Sequence, residues 1–506
     1  MNLSAQSLKN ISEEKVILPN ENFFELPEKI LQFGTGMLLR GLPDYFVDKA
    51  NRAGIFKGRI VMVKTTSNGD AAEFEKQNGL YTLCVRGIQE NKKIEENIIC
   101  SSVSRTLFAQ HQWNQILECA YNKNLKIIIS NTTEVGIQLL NEDIRKSPPA
   151  SFPCKLLAFL YERFKAFHGS DDSGLVIVPT ELIPDNGNLL QSIVLELAYF
   201  NSLEKNFITW LEKNNYFCNS LVDRIVTGMP GNEIKNAIEN ELGYKDDLMI
   251  VCEVYRLWAI ECDEKIKRIL SFADADEGMV LAPDIDRYRE LKLRLLNGTH
   301  TLTCGLSFLS GYATVKDSME DNLSAKFIES LMRNEISPSI DYKIDLAARQ
   351  DFISKVLDRF RNPNINHLWK NITLNYTTKM RMRCIPLLIS FYKNNDYPPQ
   401  LFTLGFAAYI YFMKAVKQDG NDFYGEMNGE HYLIQDEMAE KFYILWQNNS
   451  VDKMVKEILN DHILWGSNLF DLHGFAEAVT DDLKKFFNEG TKATLEKIVS
   501  KNLQGS

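Results

Sequence analysis

Lys292, Asn297 and His300 stand in the stretch Leu291-Lys292-Leu293-Arg294-Leu295-Leu296-Asn297-Gly298-Thr299-His300, which leucines at 291, 293, 295, 296 and 302 make strongly apolar. A lysine held there without a partner is costly to keep charged, so it tends to give up its proton. Such a group is a general acid/base. Work near neutral pH would require its pKa to fall by roughly 3 units, about 4 kcal/mol, with burial and the neighbouring Arg294 as the expected causes. At about 100° per residue, Lys292, His300 and Asn297 fall at roughly 0°, 80° and 140° around a helix, one sector able to line a cleft. Mid-helix Gly298 costs about 1 kcal/mol against alanine and suggests that a ligand or another backbone comes close. The competing reading is a solvated polar face beside a leucine stripe.

The elements that must position these groups begin far upstream. Ile30 to Phe33 reads as a short apolar strand, Gly34-Thr35-Gly36 as a turn, and Met37 to Ala53 as a helix. Ile60 to Val63 is a second strand able to pair in parallel with the first, which makes a βαβ unit. The stretch Leu31-Gln32-Phe33-Gly34-Thr35-Gly36-Met37-Leu38-Leu39-Arg40-Gly41-Leu42 is then a candidate dinucleotide loop. Its glycines would admit a pyrophosphate to the backbone, with Arg40 and the helix N-terminus meeting the charge. The third glycine of the usual fingerprint is missing, since Leu39 stands there and Gly41 follows later. A ribose-binding acid is expected after the second strand, yet Lys64 ends it; Lys64 would tolerate a 2′-phosphate, so these residues leave NAD and NADP both open.

Leu80 to Val85 and a run near Ile98 flank a polar turn and read as a hairpin insertion. Lys126 to Ser130 is an apolar strand that ends in Asn131-Thr132-Thr133-Glu134, and Leu175 to Val178 repeats the design with Pro179-Thr180-Glu181. Polar strand ends are where open α/β sheets take ligands. Asn186, in the loop that follows, is a turn residue by type and a candidate donor to a developing alkoxide. Asp223 and Arg224 form a charged pair inside an apolar run, either a structural ion pair or part of a substrate site. Beyond about residue 285 the pattern turns to helical segments, 287–312, 320–335, 341–360, 400–418, 434–448 and 474–500, with no comparable strand runs. The expected architecture is α/β: a Rossmann-type domain over 1–285, then a mostly α-helical domain over 286–506 that opens on the Lys292 helix. Two cation clusters lie in that second part, Arg359-Phe360-Arg361 and Lys379-Met380-Arg381-Met382-Arg383; Arg361, Lys379 and Arg381 are candidates to hold a carboxylate. The other histidines, His367 among them, show no metal-ligand spacing and read as structural or surface residues.

Composition narrows the partners. The 506 residues carry a formal charge of −10, which argues against a nucleic-acid surface and favours small-molecule ligands. Nine cysteines are scattered, with no C-x-x-C pair, so disulfides and structural zinc are not expected. Met1 to Leu18 lacks the pattern of a secretory leader and no run of eighteen apolar residues occurs, so a cytoplasmic protein is expected, monomeric or a small homo-oligomer.

Lys292, Asn297 and His300 in a Lys-x-x-x-x-Asn-x-x-His motif, Gly34 and Gly36 followed by Arg40, and Val222-Asp223-Arg224-Ile225 together resemble the mannitol dehydrogenase family of long-chain polyol and sugar-acid dehydrogenases. Ser130 to Glu134, Pro179 to Ile183, Leu221 to Gly228 and Arg359 to Pro363 are similar to its keto-uronate-reducing branch. The resemblance covers nearly the whole chain. It implies an NAD-dependent, metal-free oxidoreductase with its active site between a Rossmann-type and a helical domain. Lys292 would be the acid/base, with Asn297, Asn186 and His300 around the reacting oxygen. The polyol enzymes carry Cys-Asp-Asn where this chain has Thr180-Glu181-Leu182, so the asparagine expected at Leu182 is missing and Asn186 is the candidate to replace it.

Overall fold

The computed structural model describes residues 1–65, 72–132 and 136–504. The chain divides into two compact units, one of 1–87 with 93–285 and one of 88–92 with 286–506.

In the first unit, β1 (Glu28–Phe33) runs into a short helix α1 (Met37–Gly41) and then α2 (Pro43–Arg52), which returns the chain to β2 (Arg59–Lys64). A hairpin of β3 (Tyr81–Gln89) and β4 (Lys92–Cys100) follows, then β5 (Val103–Phe108), β6 (Ile127–Ser130), β7 (Val176–Pro179) and the two-residue β8 (Tyr216–Phe217). Six of these strands form one sheet in the order β5-β2-β1-β6-β7-β8, with every pairing parallel. The chain starts at β1, builds outward to β2 and β5, then returns to lay β6 on the other side of β1. That reversal is the switch point at which doubly wound sheets bind ligands, and Gly34 sits at it.

These strands read as unbroken apolar runs because both faces of the sheet are buried. Ile30, Ile60, Met62, Ile127, Ile129, Val176 and Val178 enter one core. Their alternates Leu31, Phe33, Val61, Val63, Ile128 and Ile177 enter another, against the helices Phe152–Ala166 and Asn186–Phe200. The hairpin is no isolated insertion. β3 and β4 extend a second sheet, β10-β11-β3-β4, with β10 (Val226–Gly228) and β11 (Ile250–Glu253).

The second unit is mainly helical. A continuous helical rod runs from Asp286 to Leu309, but its middle, Lys292–Gly298, is π-helical before it becomes α3 (Thr299–Leu309). Two more π turns, Leu331–Ile336 and Met380–Cys384, interrupt other helices. Helix α4 (Leu346–Phe360) brings the first cation cluster, and α5 (Gln400–Phe412) is buried along most of its length. The expected helix 400–418 ends at Phe412, and 417–433 fold as a three-stranded antiparallel sheet; the expected helix 474–500 is two helices that meet at Gly490. The strands of that sheet are polar and mostly exposed, so they lack the apolar signature that marks the Rossmann strands. All nine cysteines are free thiols and buried.

Candidate active site

In the first unit the glycine turn is built for close approach. Gly34 has φ +130°, and a Cβ there would lie 2.7 Å from Leu39 Cδ1 and 3.0 Å from the carbonyl oxygen of Asn131. Over Gly36 the space is open, with nothing within 4 Å of a Cβ position, and Gly36 caps the N-terminus of α1. That open backbone is where the pyrophosphate of a dinucleotide would approach. Gly41 takes the packing part of the missing third glycine, since a Cβ on it would meet Val226 Cγ2 at 2.6 Å. Across the switch point, Glu181 ties off the end of β6: its carboxylate accepts from the Thr132 backbone at 2.8 Å, from Thr132 Oγ1 at 3.0 Å and from Ser130 Oγ at 3.2 Å. Asn131 donates to the Thr180 carbonyl at 3.1 Å. Burial pushes the Glu181 carboxyl up, against these hydrogen bonds. Thr133 and Glu134, expected beside the cofactor, lie outside the described residues.

Several expectations for this unit need correction. Arg40 does not face the glycine turn: its Nη1 donates to the Leu248 carbonyl at 2.7 Å and its guanidinium lies over the Phe74 and Tyr81 rings. Leu31, Phe33, Leu39 and Leu42 are core side chains, and Gln32 is buried with them, its amide nitrogen reaching the Gly34 carbonyl at 3.4 Å. What Leu31 to Leu42 offers a ligand is therefore the backbone from Gly34 through Thr35 and Gly36 to Met37, with Leu38 half-buried behind it. Lys64 is buried at the end of β2, its ammonium 5.5 Å from the Phe108 ring centroid. Asn186 is spent as a brace. Its amide donates to the carbonyls of Pro179, Glu181 and Ser220 at 3.0–3.1 Å and its oxygen accepts from the Ser220 N–H at 2.9 Å, so no donor remains for an alkoxide. Arg224 is likewise buried, donating to the Gly41 and Glu253 carbonyls and stacking over Tyr45 at 4.6 Å, a structural role rather than a substrate contact. Asp223 is buried at the end of β9 (Ser220–Asp223), opposite Leu257.

In the second unit the π turn changes the helical arithmetic. A π-helix bonds i to i+5, so Lys292 and Asn297, five residues apart, stack along one edge instead of splaying. Both side chains are half-buried. His300 follows one turn later, buried, its ring stacked on Phe360 at 4.4 Å with the edges of His367 at 5.1 Å and Trp369 at 6.0 Å. Its Nε2 has no hydrogen-bond partner among the described residues. Burial, then the charges of His367, Arg359, Arg383 and Lys379, hold the His300 pKa well below the usual imidazole range, so the ring is neutral. Burial lowers His367 as well, with Arg359 and Lys379 adding to the effect.

Arg294 pairs with Glu290 at 3.0 Å and donates to the Met382 and Arg383 carbonyls, joining two π turns. Gly298 leaves room for a Cβ, whose nearest neighbours would be Leu293 O and Leu387 Cδ1 at 3.6 Å, so no close approach explains it. Of the carboxylate candidates, Lys379 is well placed: it is one of the charges acting on His300, it donates to the Ile372 carbonyl at 2.9 Å, and burial lowers its pKa. Arg361 instead leans back to Asp358 at 3.7 Å, and Arg381 is exposed, lining a separate cleft of about 220 Å³ with Thr377, Glu437 and Asp461.

A mannitol dehydrogenase Rossmann domain matches residues 28–270, and a mannitol dehydrogenase C-terminal domain matches 284–487. The chain belongs to the mannitol dehydrogenase family. Membership makes it an oxidoreductase. Among curated relatives, the altronate oxidoreductase of Halalkalibacterium halodurans is 34% identical over 489 residues, covering 94% of each chain. That of Bacillus subtilis is 34% identical over 481 residues, covering 94% of this chain and 96% of its own. Among solved structures, a D-sorbitol dehydrogenase in substrate-free form superposes with a TM-score of 0.79 at 18% identity, over 98% of this chain and 100% of that one. Pseudomonas fluorescens mannitol 2-dehydrogenase in ternary complex with NAD and D-mannitol superposes with a TM-score of 0.68 at 22% identity, over 99% and 100%.

In this member of the mannitol dehydrogenase family His367, beside His300, carries no mark in the sequence. His367 lies in a segment without periodicity, so no pattern marks it. Arg359 rather than Arg361, and Arg383 rather than Arg381, act on His300. Residues two apart on a helix point to nearly opposite sides.

Proposed function

We propose that this protein catalyses the NAD(H)-dependent interconversion of D-tagaturonate and D-altronate, acting on a CH–OH group. The observation that carries this reading is the alignment of Lys292, Asn297 and neutral His300 along one helical rod, in a chain whose relatives at 34% identity are named altronate oxidoreductases. NADH would supply hydride to the substrate carbonyl carbon; the Gly34 to Met37 backbone, the open ledge over Gly36 and the Asn131-Thr132 strand end are the parts suited to hold the cofactor. The NAD complex of the Pseudomonas fluorescens relative supports that choice.

Lys292 delivers a proton to the carbonyl oxygen as the carbon is reduced, and in the oxidative direction removes the hydroxyl proton. Asn297, stacked beside it, donates a hydrogen bond to the oxygen as negative charge develops. His300, neutral and with a free ring nitrogen, positions a substrate hydroxyl without adding charge. Lys379 lies near enough to contribute a charge to an acid substrate. In this reading the lysine takes the role a Lewis acid would fill.

Nicotinamide absorbance tests the reading directly. Purified protein should oxidise NADH fastest with tagaturonate, more slowly with fructuronate and fructose, and more slowly again with NADPH. Preference for fructuronate or fructose would replace the substrate assignment, and no turnover with any pair would overturn the reading.

A further inference from the structure

Several arginines of the helical unit are answered by a carboxylate one helical turn away. Arg294 meets Glu290 at 3.0 Å, Arg333 meets Glu329 at 2.8 Å and Arg361 meets Asp358 at 3.7 Å. Around His300 the balance is different. Arg383 and Lys379 act on each other as like charges, and neither forms an ion pair among the described residues. Their hydrogen bonds go to neutral oxygens: Arg383 Nη1 to Thr301 Oγ1 at 3.2 Å, and Lys379 Nζ to the Ile372 carbonyl at 2.9 Å. Two half-buried cations gathered beside two imidazoles, with Asp436 acting on Lys379 from beyond ion-pair distance and no carboxylate in contact with either, are costly to maintain without an anionic ligand.

The placement of Arg383 is set by backbone. It projects from the π turn Met380–Cys384 onto Thr301, whose hydroxyl in turn donates to the Asn297 carbonyl at 2.8 Å. The guanidinium is thus anchored to the residue next to His300 and, through one hydroxyl, to the residue stacked on Lys292. A planar fork held this way suits bidentate recognition of a carboxylate, which an ammonium meets only as a point charge.

We propose that Arg383 binds the carboxylate of the substrate and makes this site selective for sugar acids over uncharged sugars and polyols. The inference rests on the reading of Lys292 and Asn297 as the reacting end of the site. Arg383 touches the opposite end of a six-carbon acid, Lys379 adds its charge, and His300 fills the space between with a neutral ring that neither competes for the anion nor repels it further.

The test is calorimetric binding to the full-length protein saturated with NADH, with D-altronate and the matching uncharged alditol as ligands; neither can be reduced by NADH, so the complexes are dead ends. Wild-type protein should bind altronate far more tightly than the alditol. Arg383→Gln should weaken altronate by about 100-fold, the scale of a charged hydrogen bond, and change alditol affinity by no more than about threefold. Arg383→Lys should recover part of the loss, and carries the test if the glutamine variant does not fold. Equal loss for both ligands, unchanged altronate binding, or a wild-type protein that does not prefer the acid would each overturn the proposal. Arg383-dependent altronate binding without keto-uronate turnover would end the functional reading and keep this one. Tagaturonate turnover unaffected by Arg383→Gln would do the reverse.

Discussion

Glu335 shows how far one buried side chain departs from its surface behaviour. It sits in the π turn Leu331–Ile336, and its carboxylate accepts from the N–H groups of Leu401 and Phe402 at 2.9 and 2.7 Å, at the N-terminus of α5. Burial pushes its pKa up to about 7, outweighing the backbone hydrogen bonds that lower it. In the unfolded chain the group titrates near 4.5, so between pH 4.5 and 7 the folded state holds a proton that the unfolded state has released. Stability therefore falls as pH rises through that window, by about 3 kcal/mol in full above it. Glu335→Gln keeps an acceptor and removes the charge, so relative to wild type it should gain stability between pH 5 and pH 8. Urea midpoints at the two pH values measure this, and parallel shifts in both proteins would contradict it. Burial acts on His300 in the other direction, lowering its pKa.

At the scale of elements, the turn between β1 and α1 separates two uses of glycine that the sequence writes identically. Gly41→Ala drives a Cβ to within 2.6 Å of Val226 and should cost about 1–3 kcal/mol, seen as a lower melting temperature with cofactor binding largely kept. Gly36→Ala meets no protein atom and should leave the melting temperature nearly unchanged while weakening NADH binding several-fold, measured by fluorescence titration. Reversal of that pattern would remove the ledge over Gly36 as the pyrophosphate site. The β1-turn-α1 unit was legible because a run buried on both faces, followed by two glycines, has few other ways to fold. The sheet at 417–433 was not, because its strands are exposed and polar and owe their form to cross-strand pairing. The π turns were equally hidden. Lys292, Asn297 and His300 could be picked out by type, but their alignment depends on a hydrogen-bond step that no residue pattern announces, and the same ambiguity hid which arginine of each cluster faces inward.

At the scale of the whole molecule, the groups suited to a cofactor lie in the unit 1–87 with 93–285, and Lys292, Asn297, His300 and Arg383 lie in the unit 88–92 with 286–506. Binding and chemistry should therefore separate in a single variant. Lys292→Ala should lower turnover by at least about 100-fold, the scale of acid/base catalysis, while NADH affinity stays within about twofold of wild type. Turnover near the wild-type rate would remove Lys292 as the proton donor. The nine buried thiols carry a consequence of another kind. Folded, the protein offers a sulfhydryl reagent almost nothing to react with, so one cysteine introduced on an exposed helix would become a unique attachment point for a fluorophore or spin label. The native cysteines would stay silent until the chain opens, and their release would then time its unfolding.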